Sequence, residues 1–294
     1  MQKNLKLLFI ILSILSGVLA LKSFLPQFLP TTSPYTEKIK DIKKENVTSL
    51  SVSKLSESVK LEKVGDTWKA GGKKADKNKI DDLLNGLLSD DLPELISQTD
   101  SRHKELELTS DFATQVKIND GLTVFLGKSA KGAGIYVRFD GNNNVFLLKN
   151  LYSSSFSPSL SYWVDKTILA LERSKIKKLE FTQNKKNIIL INKDNKWVEE
   201  KTGREPNKDK LDPVLTSLSS LTAESLVSTE SSKVYPSTAQ IVMMVEYDGG
   251  RETLNFYQGK NDYKVVRDSD KEEFIVTNST AEKFLSYLFA PLIK

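Results

Sequence analysis

Leu61-Glu-Lys-Val-Gly-Asp-Thr-Trp68 occurs twice in this chain, returning as Leu190-Ile-Asn-Lys-Asp-Asn-Lys-Trp197. In each copy an apolar stretch meets a polar turn, Gly65-Asp66 or Asp194-Asn195, and resumes at a tryptophan, the pattern of a β-hairpin. A second element follows in both: Asp76-Lys-Asn-Lys-Ile-Asp81 reappears as Asn207-Lys-Asp-Lys-Leu-Asp212. Behind it Ile80, Leu83, Leu84, Leu87 and Leu88, and in the second copy Leu211, Val214, Leu215 and Leu218, fall at the spacing of an amphipathic helix. Asp76 caps the first helix. Pro213 stands where the first copy has Asp82, so the second helix is expected to start late, near Asp209 or Asp212. A repeat of this size predicts two copies of one unit.

Working outward, Leu50-Ser-Val-Ser and Val59-Lys-Leu-Glu-Lys-Val alternate apolar with polar residues, as half-buried strands do. Leu95-Ile comes next. Then Ala113–Ile118, Leu122–Leu126, Ile135–Phe139 and Val145–Leu148, separated by Asn119-Asp-Gly121, Gly132-Ala-Gly134 and Asp140–Asn144, read as an antiparallel meander. Ser157-Pro158 opens a predicted helix carrying Leu160, Trp163, Val164, Thr167 and Ile168 to about Leu171. The second copy repeats the pattern from Ile176, with a meander at Ile241–Val245, Thr253–Tyr257, Tyr263–Val266 and Phe274–Val276. Ser279-Thr-Ala-Glu282 reads as a capping box for a last helix with Phe284, Leu285, Leu288 and Phe289.

At the N-terminus Lys3 and Lys6 precede an uncharged run from Leu7 to Leu21. Its length lies between a cleaved signal peptide and a membrane-spanning helix of about 20 residues. Lys22 can snorkel and extend the helix to Leu25, which favours an uncleaved anchor over a signal cleaved after Val18-Leu-Ala20. The flanking lysines place the N-terminus inside and the body outside the cytoplasmic membrane. Pro26, Pro30 and Pro34 make a stiff exit, and Tyr35 to Glu45 is a charged spacer that can form a short helix.

Composition excludes several classes. A net charge of +5 in 294 residues, with lysines spread along the chain, is too weak for nucleic-acid binding. No cysteine means no disulfide, thiol nucleophile or cysteine metal site. His103 is the only histidine, and its loop setting between Arg102 and Lys104 predicts a solvated side chain. Gly127-Lys128-Ser129 ends like a phosphate loop, but Gly121 stands five residues ahead instead of four and the intervening residues are strand-forming, so it reads as a turn. Gly259-Lys260 reads the same way in the second copy. Asp81-Asp82 and Asp90-Asp91 flank the first helix, where carboxylates suit helix entry and exit better than catalysis. Trp68, Trp163 and Trp197 are expected in the core. No catalytic, cofactor-binding or metal-binding residue is assigned, and no cofactor is expected.

The Trp68 and Trp197 hairpins with their Leu-rich helices resemble a bacterial family known as domain of unknown function 4340. So do Tyr235-Pro236, Leu126-Gly-Lys, Gln258-Gly-Lys and the Trp163-Val-Asp-Lys-Thr-Ile-Leu169 segment. The first copy has Arg102-His-Lys-Glu-Leu106 where the family's meander entry carries a Tyr-Gly-Leu-x-x-Pro-like motif. The resemblance implies a membrane-anchored extracytoplasmic protein encoded beside gliding-type ABC transporters, with no established catalytic residue.

The expected fold is α+β: an N-terminal transmembrane helix at 1–29 and an extended linker at 30–46, then a first repeat at 47–150, a connecting helix at 151–175 and a second repeat at 176–294. Each repeat is an antiparallel sheet with helices on one face. The expected function is a non-enzymatic scaffold or accessory component of an envelope complex, single-pass in the cytoplasmic membrane. Its partners are the bilayer and an ABC transporter subunit, with no nucleic acid. The alternative is a module binding an envelope polymer or small ligand, and a cryptic hydrolase ranks third.

Overall fold

Period-two alternation dominates the chain between its helical stretches, and strands form wherever it occurs. The computed structural model describes residues 13, 14, 16, 33–89, 91, 93–132, 134–183, 186–227 and 234–289. They form two compact units, Met1–Gly72 with Lys77–Tyr162, and Lys73–Asp76 with Trp163–Lys294.

The first unit starts with α1 (Pro34–Ile39). Ser33 caps it by accepting a hydrogen bond from the Tyr35 amide, and Pro34 supplies the fixed φ of a first helical turn. Strands β1 (Ser49–Lys54), β2 (Glu57–Val64) and β3 (Thr67–Ala70) form the hairpins of the repeated stretch. β4 (Lys73–Lys74) belongs to the second unit. α2 (Lys77–Leu87) buries Ile80, Leu83, Leu84 and Leu87 on one face. β5 (Glu94–Ser97) is followed by the meander β6 (Thr114–Ile118), β7 (Leu122–Ala130), β8 (Gly134–Phe139) and β9 (Val145–Leu148). The strands pair antiparallel in the order β3-β2-β1-β6-β7-β8-β9-β5. Tyr35 seals this unit. It is 1% exposed, its ring lies 4.8 Å from Phe139 and 5.4 Å from Phe146, and its hydroxyl donates to the Leu87 carbonyl at 2.8 Å.

α3 (Leu160–Trp163) closes the first part of the chain. The second unit follows with β10 (Thr167–Leu169), β11 (Ile176–Gln183), β12 (Lys186–Lys193), β13 (Lys196–Glu199) and α4 (Lys208–Ser219). It continues with β14 (Leu221–Thr222), β15 (Ser225–Leu226), β16 (Ile241–Tyr247), β17 (Gly250–Gln258), β18 (Asp262–Arg267), β19 (Glu273–Thr277) and α5 (Asn278–Phe289). Its main sheet runs β13-β12-β11-β16-β17-β18-β19-β15, which repeats the first order strand for strand. The β12–β13 turn takes Asp194 and Asn195 at φ of 50° and 65°, a two-residue hairpin turn with both central residues left-handed. Leu211, Val214, Leu215 and Leu218 of α4 and Ala281 and Phe284 of α5 cover Leu179, Phe181, Met243, Val245, Phe256 and Val265.

Several expectations are corrected. Among the described residues no helix is long and apolar enough to cross a membrane. That overturns the N-terminal transmembrane helix and the single-pass location, and the run they rested on lies, apart from Ser13, Ile14 and Ser16, outside the described residues. The α+β assignment gives way to a mostly antiparallel β architecture. The connecting helix shrinks to four residues. Val164 bridges to Ala75, the Asp165 carboxylate accepts from the Thr167 amide at 3.0 Å, and β-branched Thr167 and Ile168 lie in β10, which pairs with β14 through Thr167 and Leu169. The second helix starts at Lys208 behind an Asn207 cap and holds Pro213 within it. α5 is held by Thr277, whose hydroxyl accepts from the Thr280 amide at 3.2 Å, in place of Ser279.

Candidate functional site

Most residues singled out from the sequence secure the backbone. Gly127 lies at a bulge in β7, where a Cβ would come within 2.2 Å of the Leu106 carbonyl oxygen. The segment entering the meander crosses there, and the Lys128 amide donates to that same carbonyl at 2.9 Å. Gly259 lies at the β17–β18 turn. A Cβ there would meet Asp262 Oδ1 at 2.7 Å and the Tyr235 ring at 2.8 Å. Tyr235 donates its hydroxyl proton to Asp262 at 2.9 Å, and burial together with that carboxylate pushes its pKa up. Both Gly-Lys pairs therefore make room for the segment that leads into the meander.

His103 is buried, 8% exposed, with Nε2 3.0 Å from the Asn143 carbonyl, which corrects the solvated side chain expected of it. Asp81 tethers the turn before β1 to α2 through Lys44 at 3.2 Å, and pairs with Lys77 one turn back within the same helix. Against the partial burial that by itself raises it, hydrogen bonds from Lys77 and Lys44 hold the Asp81 carboxyl below the usual carboxylate range. Asp212 makes the equivalent pair with Arg173 in the second unit. Asp91 accepts from the Asn150 amide, and Asp90 lies outside the described residues.

The second unit holds two clefts of different character. One, of about 460 Å³, is lined by Lys74, Asp165, Glu252, Arg267 and Asp270 among others. Arg267 grips Asp270 with two nitrogens at 3.0 and 2.6 Å and donates to the Thr167 and Ile168 carbonyls at 2.9 and 2.8 Å. Lys74 pairs with Asp165 at 2.8 Å. Glu252, 8% exposed, accepts from the Thr253 and Ser269 amides at 3.0 and 3.2 Å. These charges are engaged in holding the β18–β19 turn and β10 in place. Sequence reading passed over them because Arg267 meets its carbonyl partners across about a hundred residues. Glu252 was readable in principle, as a charge on the inward register of β17 opposite Val245.

The other cleft, of about 320 Å³, is lined by Arg173, Asn195, Lys196, Trp197, Glu205, Pro206, Lys208, Leu211 and Asp212. Here the groups are not all engaged. Arg173 and Asp212 pair with each other, but among the described residues no carboxylate pairs with Lys196 or Lys208. Trp197 is half-buried, whereas Trp68, its counterpart, is 6% exposed. Trp163 is fully buried.

A third feature appears when the two registers are compared. Leu61 pairs with Leu50 and Leu50 with Ile118, and Leu190 pairs with Leu179 and Leu179 with Val245. These residues are buried on the helix-bearing side of each sheet. Their neighbours along each strand therefore point to the outer face. In the first unit that face carries Lys60, Glu62, Lys69, Gln115 and Lys117, with Lys60 and Glu62 paired at 2.7 Å. The same register positions in the second unit are Ile189, Ile191, Val198, Val242 and Met244, all half-buried. They flank a central β11 row of Lys178, Glu180 and Thr182.

A family model described as "Domain of unknown function (DUF4340)" matches residues 72–239, more than half of the chain. No curated protein and no solved structure matches it.

Proposed function

Because the chain belongs to the DUF4340 family, which carries no activity to transfer, we propose from the geometry a non-enzymatic scaffold that docks a protein partner on the outer face of its second sheet. The observation that carries this reading is the exchange of five polar or charged positions for Ile189, Ile191, Val198, Val242 and Met244 on otherwise equivalent strands. Because Lys60 and its neighbours occupy the same positions in the first unit, the sheet itself does not require apolar side chains there. Apolar side chains left partly open to water on a sheet face are surface that a partner can cover. The Lys178 and Glu180 row between the apolar flanks gives such a contact a polar register.

The test is site-specific cross-linking in cells. A photo-reactive residue at Ile191 should give a discrete protein adduct, and the same residue at Glu62 of the first unit should give none. An ABC transporter subunit, the partner that the family resemblance implies, is the first adduct to look for. Identical patterns from the two positions, or no adduct at Ile191, Val242 or Met244, would remove the proposal.

A further inference from the structure

The cleft beside Trp197 lies on the helix-bearing side of the second sheet, so what it does is independent of a partner on the outer face. Its apolar part is the half-buried indole with Pro206 and Leu211, and its rim carries Asn195, Lys196, Glu205 and Lys208. Arg173 and Asp212 cancel one another. What remains is two lysines against the single carboxylate of Glu205, a net positive rim. At about 320 Å³ the space is at the small end of ligand pockets, which run about 300–1,000 Å³.

We propose that this cleft binds an acidic sugar, one ring of a hexuronic-acid oligosaccharide. Three features select that chemistry. The part of the Trp197 indole that lines the cleft can pack against the C–H face of a pyranose ring, as an aromatic surface does with any flat apolar patch. Unpaired ammonium groups take a carboxylate as charge-assisted hydrogen-bond donors. Asn195 and Glu205 offer an amide and a carboxylate to ring hydroxyls, a use that an apolar aromatic acid has no need of. The first unit lacks the opportunity, because Trp68 is buried and cannot offer its face.

The experiment titrates the full chain with tri-galacturonate, with neutral maltotriose and with inorganic phosphate, following binding by calorimetry. Tri-galacturonate should bind at least about tenfold more tightly than maltotriose, and the preference should shrink as salt is raised. Lys196→Gln with Lys208→Gln, both at exposed positions, should weaken tri-galacturonate about tenfold or more and leave maltotriose unchanged. Trp197→Phe keeps an aromatic face and should retain binding, whereas Trp197→Ala should weaken both sugars. Phosphate binding as tight as the acidic sugar would reduce the site to a general anion patch and overturn the proposal. So would equal affinity for the two sugars, or affinity unchanged in the lysine double variant. None of these results bears on the cross-linking at Ile191, so the two readings fail separately.

Discussion

The two hairpin tryptophans permit a comparison within one molecule. Complete burial of an indole removes about 150–250 Å² from water, worth about 4–6 kcal/mol at about 25 cal/mol/Å². Trp68 is 6% exposed and lies on the buried register of β3. Trp68→Ala should therefore cost its unit about 4 kcal/mol, within the usual range for such truncations. Trp197 occupies the equivalent register but is only partly buried, packed against the core of the second unit on one side and lining the cleft on the other, so Trp197→Ala should cost about 3 kcal/mol, somewhat less area being lost. With a urea dependence of about 2 kcal/mol/M, the midpoints should fall by about 2 M and about 1.5 M. Circular dichroism across a urea series, with the transitions of the two units fitted separately, resolves that difference. Equal losses for the two variants would mean that Trp197 is as much core as Trp68. The open indole on which the acidic-sugar site depends would then be gone.

Other consequences follow from the same geometry. Grafting the first unit's outer face onto the second, with Ile189→Lys, Ile191→Glu, Val198→Lys, Val242→Gln and Met244→Lys, should leave the unit folded and lower the melting temperature by no more than about 10 °C, since surface changes are usually worth about 0.5 kcal/mol or less each, about 2.5 kcal/mol together. A cooperative loss of folding by calorimetry would make those residues core. Gly127→Ala should destabilise by about 3 kcal/mol, because a Cβ there lies 2.2 Å from the fixed Leu106 carbonyl oxygen, and Gly259→Ala by less, about 2 kcal/mol, because the Tyr235 ring and the Asp262 carboxylate can give way and the Asp262 backbone oxygen is no nearer than 3.1 Å. Thermal melts distinguish the two. The pH limits should also separate by residue. The Asp81 carboxyl is held low in the fold, so its contribution is present above about pH 4 and is lost as pH falls further; Asp81→Asn should make the acid limb shallower. Burial raises the Tyr35 phenol, so its contribution is whole below about pH 10 and is lost above; Tyr35→Phe should flatten the alkaline limb. Stability measured against pH in urea checks both signs.

Elements with strong, long periodicity were legible. The hairpins, the two helices behind them and the meanders all announce themselves in the spacing of apolar residues. The segment after Ser157 did not. Leu160, Trp163, Val164, Thr167 and Ile168 satisfy a helical stripe on paper, but Val164, Thr167 and Ile168 are β-branched and find strand partners in Ala75 and β14. Pairings of that range leave no trace in local pattern. The same holds for Tyr35, which sits in a charged stretch yet reaches the Leu87 carbonyl 52 residues away. The opening at Trp197 had a faint signal: ten residues separate Trp197 from the Asn207 cap, whereas eight separate Trp68 from Asp76. A longer return loop covers its tryptophan differently, but the direction of that change depends on packing that spacing alone does not determine.

A duplicated fold supplies its own control. Where both copies keep a feature, such as the ion pairs Lys44–Asp81 and Arg173–Asp212, the fold is the sufficient reason for it. Where strand order and register agree but chemistry does not, the fold has been shown to accept either choice, and stability no longer explains the one present. Two such departures fall in the second unit, on opposite sides of one sheet: a partly open indole beside two unpaired lysines, and an outer face with apolar side chains at five positions where its twin is polar or charged. The shared strand order does not require either, because the first unit has it without them. Both proposals therefore fall on the second unit, and the first serves as the reference against which each substitution there can be measured.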